Sequence, residues 1–145
     1  MTDGPWVLDT SVAAAWFFTD ESFHVEALVV QNLLRDEPSH FVVPSVFYSE
    51  LTHVLARKSG RDASFVGEAL TLMFRLGVRT LMLSESALLR AGYWACRGLS
   101  GYDATFVALA EDVAGRWLTG DVRAAKLAGS EAAEILTVWA QRNES

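Results

Sequence analysis

Five short apolar runs recur along the chain at residues 6–8, 41–43, 79–83, 117–118 and 135–138. Stretches of helical periodicity separate them. Short apolar strands alternating with helices imply a parallel sheet with helices on both of its faces. The helices are expected at about 12–18, 21–34, 46–58, 62–76 and 84–97. Pro44-Ser45 opens the third, Asp62 and Ser84 cap the fourth and fifth, and Gly77 stops the fourth. A glycine-rich loop, Gly98-Leu-Ser-Gly101, then leads to Tyr102-Asp103 and a helix carrying Phe106, Val107, Leu109, Ala110 and Val113 on one face. Trp117-Leu118 follows as a strand ending in Thr119-Gly120-Asp121. After it come a short helix, a turn at Gly129-Ser130 and a fifth strand at 135–138. Residues 140–145 read as a polar tail.

The 145 residues suit one compact α/β domain with a core of its own, and no linker or repeat divides them. Composition narrows the function classes. A net charge of −6 argues against holding nucleic acid on a broad basic face, yet leaves room for an enzyme whose acids collect in one metal-loaded pocket. Cys96 is the lone cysteine, so no internal disulfide can form, which suits a reducing cytoplasm, and no Cys/His pattern has zinc spacing. Residues 1–6 lack a basic segment leading into an apolar one, so no secretory leader is expected. No apolar run approaches the roughly 20 residues of a membrane helix. Five Trp and eight Phe exceed what a small core needs, which fits either a crowded core or a surface covered by a partner.

Asp9, Asp103 and Asp121 each stand where a helix begins, two of them just past a strand. An Asp there can simply be a helix cap, worth about 1 kcal/mol. In an open parallel sheet, however, these places lie on the rim where the strands' carboxyl ends form a crevice. None of the three has an obvious local cation beside it. Glu50 shares a helix face with Val46, Phe47, Leu51 and Val54. A carboxylate so placed must be paired, by His53, Arg57 or a distant arginine, or else bind a cation. Converging carboxylates without cations repel one another, and a hard divalent ion such as Mg²⁺, which takes oxygen ligands, resolves that repulsion. The residues alone therefore reach a Mg²⁺- or Mn²⁺-dependent enzyme acting on phosphate esters. They do not reach RNA.

The chain resembles the PIN domains, and among them the VapC-type ribonuclease toxins of bacterial and archaeal toxin–antitoxin pairs. The resemblance spans nearly the whole chain. It rests on Val7-Leu8-Asp9-Thr10-Ser11, on Val43-Pro44-Ser45 leading to Glu50-Leu51, on Tyr102-Asp103-Ala104 running to Leu109-Ala110-Glu111, and on Leu118-Thr119-Gly120-Asp121. It implies a parallel sheet of about five strands and a pocket in which Asp9, Glu50, Asp103 and Asp121 hold Mg²⁺ or Mn²⁺ for RNA hydrolysis. By the same resemblance Asp9 and Asp103 are the principal ligands, Asp121 completes the pocket, and Glu50 orients or deprotonates the attacking water. Ser11 and Thr119 would fix the carboxylates by hydroxyl hydrogen bonds. Family members usually dimerise and are silenced by an antitoxin segment covering the groove. On that basis Trp16, Phe17 and Phe18, with part of the second helix, are expected to line the antitoxin groove, while Arg57, Lys58 and Arg61 could steer RNA phosphates.

Two other enzyme classes also place acids at strand ends. Haloacid-dehalogenase phosphatases want a second Asp two residues after the first, where this chain has Ser11. Receiver domains want an Asp at the end of the third strand, where it has Leu83-Ser84-Glu85. A PIN-like module that only binds RNA or a protein partner is the non-enzymatic alternative, although all four acidic positions are filled here.

Overall fold

The computed structural model describes residues 5–144. Five strands, β1 (Trp6–Leu8), β2 (Phe41–Pro44), β3 (Arg79–Leu81), β4 (Arg116–Thr119) and β5 (Ala133–Ile135), form one sheet in the order β3-β2-β1-β4-β5. Every neighbouring pair is parallel, with Trp6 level with Phe41 on one side and Arg116 on the other. Eight α-helices flank the sheet among the described residues: α1 (Thr10–Ala15), α2 (His24–Asp36), α3 (Val46–Lys58), α4 (Ala63–Arg75), α5 (Glu85–Cys96), α6 (Gly101–Asp112), α7 (Val122–Ala128) and α8 (Leu136–Asn143).

The central strands are apolar on both faces because helices cover both, and β1 is buried at every residue. Phe47, Leu51 and Leu55 on α3, with Phe106, Val107 and Leu109 on α6, complete the core with no exposed surface. Each such side chain contributes about 2 kcal/mol by burial. β3 is an edge strand, its first two residues exposed.

From β1 the chain builds outward through β2 and β3, then crosses to β4 on the other side. The reversal makes the carboxyl ends of β1 and β4 a topological switch point, where a parallel sheet opens into a crevice. Asp9 directly follows β1, and Gly120-Asp121 directly follow β4.

The expected order of elements is the observed one, with local differences. The run at 135–138 is not a fifth strand. β5 ends at Ile135 and α8 begins at Leu136, because Leu136, Trp139 and Ala140 at helical spacing fill the core while Thr137 and Val138 face solvent. That helix takes in most of the expected polar tail, with Gln141 and Arg142 on its exposed side. α1 stops at Ala15, short of the aromatic run, and α2 starts only at His24. Residues 1–4, to which most of the leader reading applies, and residue 145 of the tail lie outside the described residues. Among those described, no helix is long and apolar enough to cross a membrane.

Candidate active site

Asp9 is the N-cap of α1, as its position suggested, but capping uses only part of its carboxylate. Oδ2 accepts the Ser11 backbone N–H at 3.1 Å, the Ser11 hydroxyl, and Thr119 Oγ1 at 3.2 Å. Oδ1 accepts the indole N–H of Trp117 at 3.1 Å. The side chain is almost wholly buried, at 6% exposure. Desolvation still outweighs all these donors, so its proton affinity lies above that of an ordinary Asp.

Ser11 and Thr119 do more than donate to Asp9. Ser11 Oγ accepts the Gly120 N–H at 3.3 Å, and Thr119 Oγ1 accepts the Asp121 N–H at 3.1 Å. Each hydroxyl thus ties the end of β1 to the loop after β4. Gly120 is closely covered there: a Cβ on it would stand 2.6 Å from the ring of Phe23, so that ring would have to move. Asp121 caps α7 through Oδ1, 3.0 Å from the Ala124 N–H, and is exposed.

Glu50 has no salt bridge among the described residues, so the pairing with His53 or Arg57 is absent. Its Oε1 instead accepts Thr10 Oγ1 at 2.5 Å, and Thr10 is itself buried. Partial burial raises the Glu50 proton affinity, the Thr10 hydrogen bond opposes the rise, and the charge on Asp9 adds to it.

Asp103 is not a helix cap. Ser100 caps α6, its Oγ accepting the Asp103 N–H at 3.1 Å, and its hydroxyl is the one neighbour that favours the charged Asp103 carboxylate. Its pKa is pushed up to about 6, first by desolvation and then by the charges of Asp9, Glu50 and Asp121 in that order. All four predicted acids therefore share one electrostatic field, and no Lys or Arg among the described residues pairs with any of them.

Thr10 and Trp117 were not singled out from sequence. The only cue for Trp117 was a Trp on a central strand, whose indole N–H needs a partner when buried. Thr10 follows Asp9 directly, but nothing in the local sequence joins it to Glu50, 40 residues away. Trp16 does not belong to an exposed groove. It is buried at 7% exposure and its indole donates to Ala27 O at 2.8 Å, locking α1 to α2. Phe17 and Phe18 are half-buried, and Phe18 packs on Phe65 of α4.

Whether these residues suit a divalent cation is a question of donor chemistry and spacing. Four carboxylates, unneutralised and three of them with raised proton affinity, form an all-oxygen donor set that a hard cation would stabilise. Among the described residues no three His, Cys, Asp or Glu side chains are grouped closely enough to hold an ion as they stand. Glu50 Oε2 and Asp121 Oδ2 accept no hydrogen bond among those residues.

A five-stranded parallel sheet with four carboxylates in one electrostatic field near its switch point defines an α/β domain with an acidic site at the carboxyl ends of its strands. More particularly, residues 6–130 match the model of the PIN domain, and the chain belongs to that family. Among solved structures it is similar to VapC20 of Mycobacterium tuberculosis, a sarcin-ricin loop cleaving toxin, with 21% identity and a TM-score of 0.64 over 83% of this chain and 94% of that one. It is also similar to PAE2754 of Pyrobaculum aerophilum, with 16% identity and a TM-score of 0.67 over 97% of this chain and 89% of that one. At these identities the likeness is one of fold. No curated protein matches the chain by sequence.

Proposed function

We propose that this chain is a metal-dependent endoribonuclease, the toxin of a type II toxin–antitoxin pair. The observation that carries the reading is the gathering of Asp9, Glu50, Asp103 and Asp121 in one field with no cation beside them. The fold likeness to an RNA-cleaving toxin supports RNA as the substrate class.

Asp9, Asp103 and Asp121 would hold Mg²⁺ or Mn²⁺, which when bound supplies Lewis acidity toward a phosphodiester. Asp9 is fixed by its hydrogen-bond donors and serves as the rigid member of the set. Glu50 keeps Oε1 engaged with Thr10 and has Oε2 left to orient the attacking water and accept its proton. The raised proton affinity of Glu50 favours that transfer. Exposed Leu88, Leu89 and Tyr93 on α5, with Met82 beside β3, give a homodimer partner or an antitoxin apolar surface to cover. Cys96, exposed and unpaired, is consistent with a cytoplasmic location.

The test is incubation of purified protein with a structured RNA in Mg²⁺, in Mn²⁺ and in EDTA, beside Asp103→Asn. Cleavage that needs metal and is lost in the variant is the expected result. If wild-type protein that binds Mn²⁺ leaves every RNA intact, a catalytically silent binding module replaces the enzyme.

A further inference from the structure

Helix α3 does not end its business at Glu50. His53 and Arg57 lie three and seven residues further on and share a face with Glu50, and Arg61 follows just past the helix end. Glu50 stands at the border of the buried face: Phe47, Leu51 and Leu55 point into the core, whereas His53, Arg57 and Arg61 are exposed. Together with Ala56 and Gly60 these three line one shallow depression. At about 1.5 Å of rise per residue, Arg57 stands roughly 10 Å along the helix axis from Glu50.

The charges around this depression differ in their partners. Lys58, their neighbour, is neutralised by Glu21 and lies over the Phe18 ring. Arg57 and Arg61 have no carboxylate partner among the described residues, in a chain of net charge −6. Arg61 also occupies a left-handed backbone position, φ 64°, directly after Gly60 at φ 72°. A non-glycine residue there costs about 1 kcal/mol. The cost is sustained by the Arg61 N–H, which closes the helix on Ala56 O at 2.8 Å.

We propose that His53, Arg57 and Arg61 form a track that binds successive phosphates of a single-stranded RNA segment as it leaves the acidic crevice along α3. This rests on the ribonuclease reading and adds to it the path of the strand. Arg57 and Arg61 meet phosphate oxygens through their guanidinium N–H groups, and His53 donates a ring N–H nearest the crevice. Lys58, although adjacent in sequence, takes no part.

The test measures anisotropy of a fluorescein-labelled single-stranded oligoribonucleotide, in EDTA so that nothing is cut, across a salt series. Proteins are the wild type, Arg57→Gln/Arg61→Gln, and Arg35→Gln, which removes an equally exposed arginine on α2. Neutralising one phosphate contact changes the slope of log affinity against log salt by about 0.7 for single strands, so the double variant should lose about 1.4 and bind more than tenfold more weakly. Arg35→Gln should match the wild type. Circular dichroism confirms that each is folded. A double variant whose slope equals that of Arg35→Gln overturns the track. Metal-dependent cleavage by the wild type, scored in parallel, tests the other reading: cleavage with an unchanged slope removes the track alone. A reduced slope without cleavage keeps the track and removes the nuclease.

Discussion

Asp103→Asn should make the metal-free protein more stable at neutral pH while removing its response to metal. The folded state binds the Asp103 proton more tightly than the unfolded chain does, at about 6 against 3.8. The sign follows. Below about pH 4 the group is protonated in both states and costs nothing, the cost grows as pH rises, and it is complete above about pH 6. At about 1.4 kcal/mol per tenfold change in proton affinity the ceiling is about 3 kcal/mol, and partial exposure reduces it to about 1 kcal/mol. The Ser100 hydroxyl is the one donor that favours the charged carboxylate, and the amide oxygen of Asn can accept from it in the same place, so the substitution removes charge without orphaning a donor. Thermal unfolding in EDTA should therefore show the variant about 3 °C higher at pH 8 and level with wild type at pH 4. Adding Mn²⁺ should raise the wild-type midpoint through preferential binding to the folded state, and raise that of the variant much less. A variant that is no more stable than wild type at pH 8 would show that the four carboxylates do not repel one another as argued.

The remaining predictions concern the groups around those acids. Thr10→Val keeps volume but removes the donor to Glu50, and should lower kcat at least tenfold with little change in KM in the RNA cleavage assay. Trp117→Phe preserves most of the buried ring and deletes the indole N–H held by Asp9; urea titration should show a loss of about 2 kcal/mol. Gly120→Ala should cost more than 2 kcal/mol because its Cβ meets Phe23, and Phe23→Leu in the same chain should restore part of it in a double-mutant cycle. Trp16→Ala should destabilise the fold by about 3–5 kcal/mol, measured by denaturant unfolding, as expected of a core residue.

The sheet was readable because its strands are short, apolar and punctuated by polar residues, and α3 was placed to the residue because Pro44-Ser45 and Gly60 bracket it. Hydrophobic periodicity failed where β-branched side chains face water: Thr137 and Val138 look like strand yet lie on the solvent side of α8. Acid positions could be proposed from their places at strand and helix ends. What each acid touches could not. The Thr10–Glu50 and Trp117–Asp9 hydrogen bonds join residues 40 and 108 apart, and only the packing of α1 against α3 and of β1 beside β4 brings them together. The antitoxin reading of Trp16 failed for a related reason, since a ring in an aromatic run gives no sign that its N–H has a buried carbonyl waiting.

The hydrogen bonding of Asp9 bears on how an inactive form should be made. A fixed N–H points at each of its oxygens, the Ser11 backbone at Oδ2 and the Trp117 indole at Oδ1. An asparagine there must turn its own NH₂ toward one of them, whichever way it sits, so two donors would face each other inside the protein. Asp9→Asn would thus injure the join between β1 and β4 as well as the chemistry, and a partner that failed to bind it would say little. On the proposed reading Asp103→Asn should silence the site and leave that join whole, which makes it the form to use when testing for a bound RNA or antitoxin.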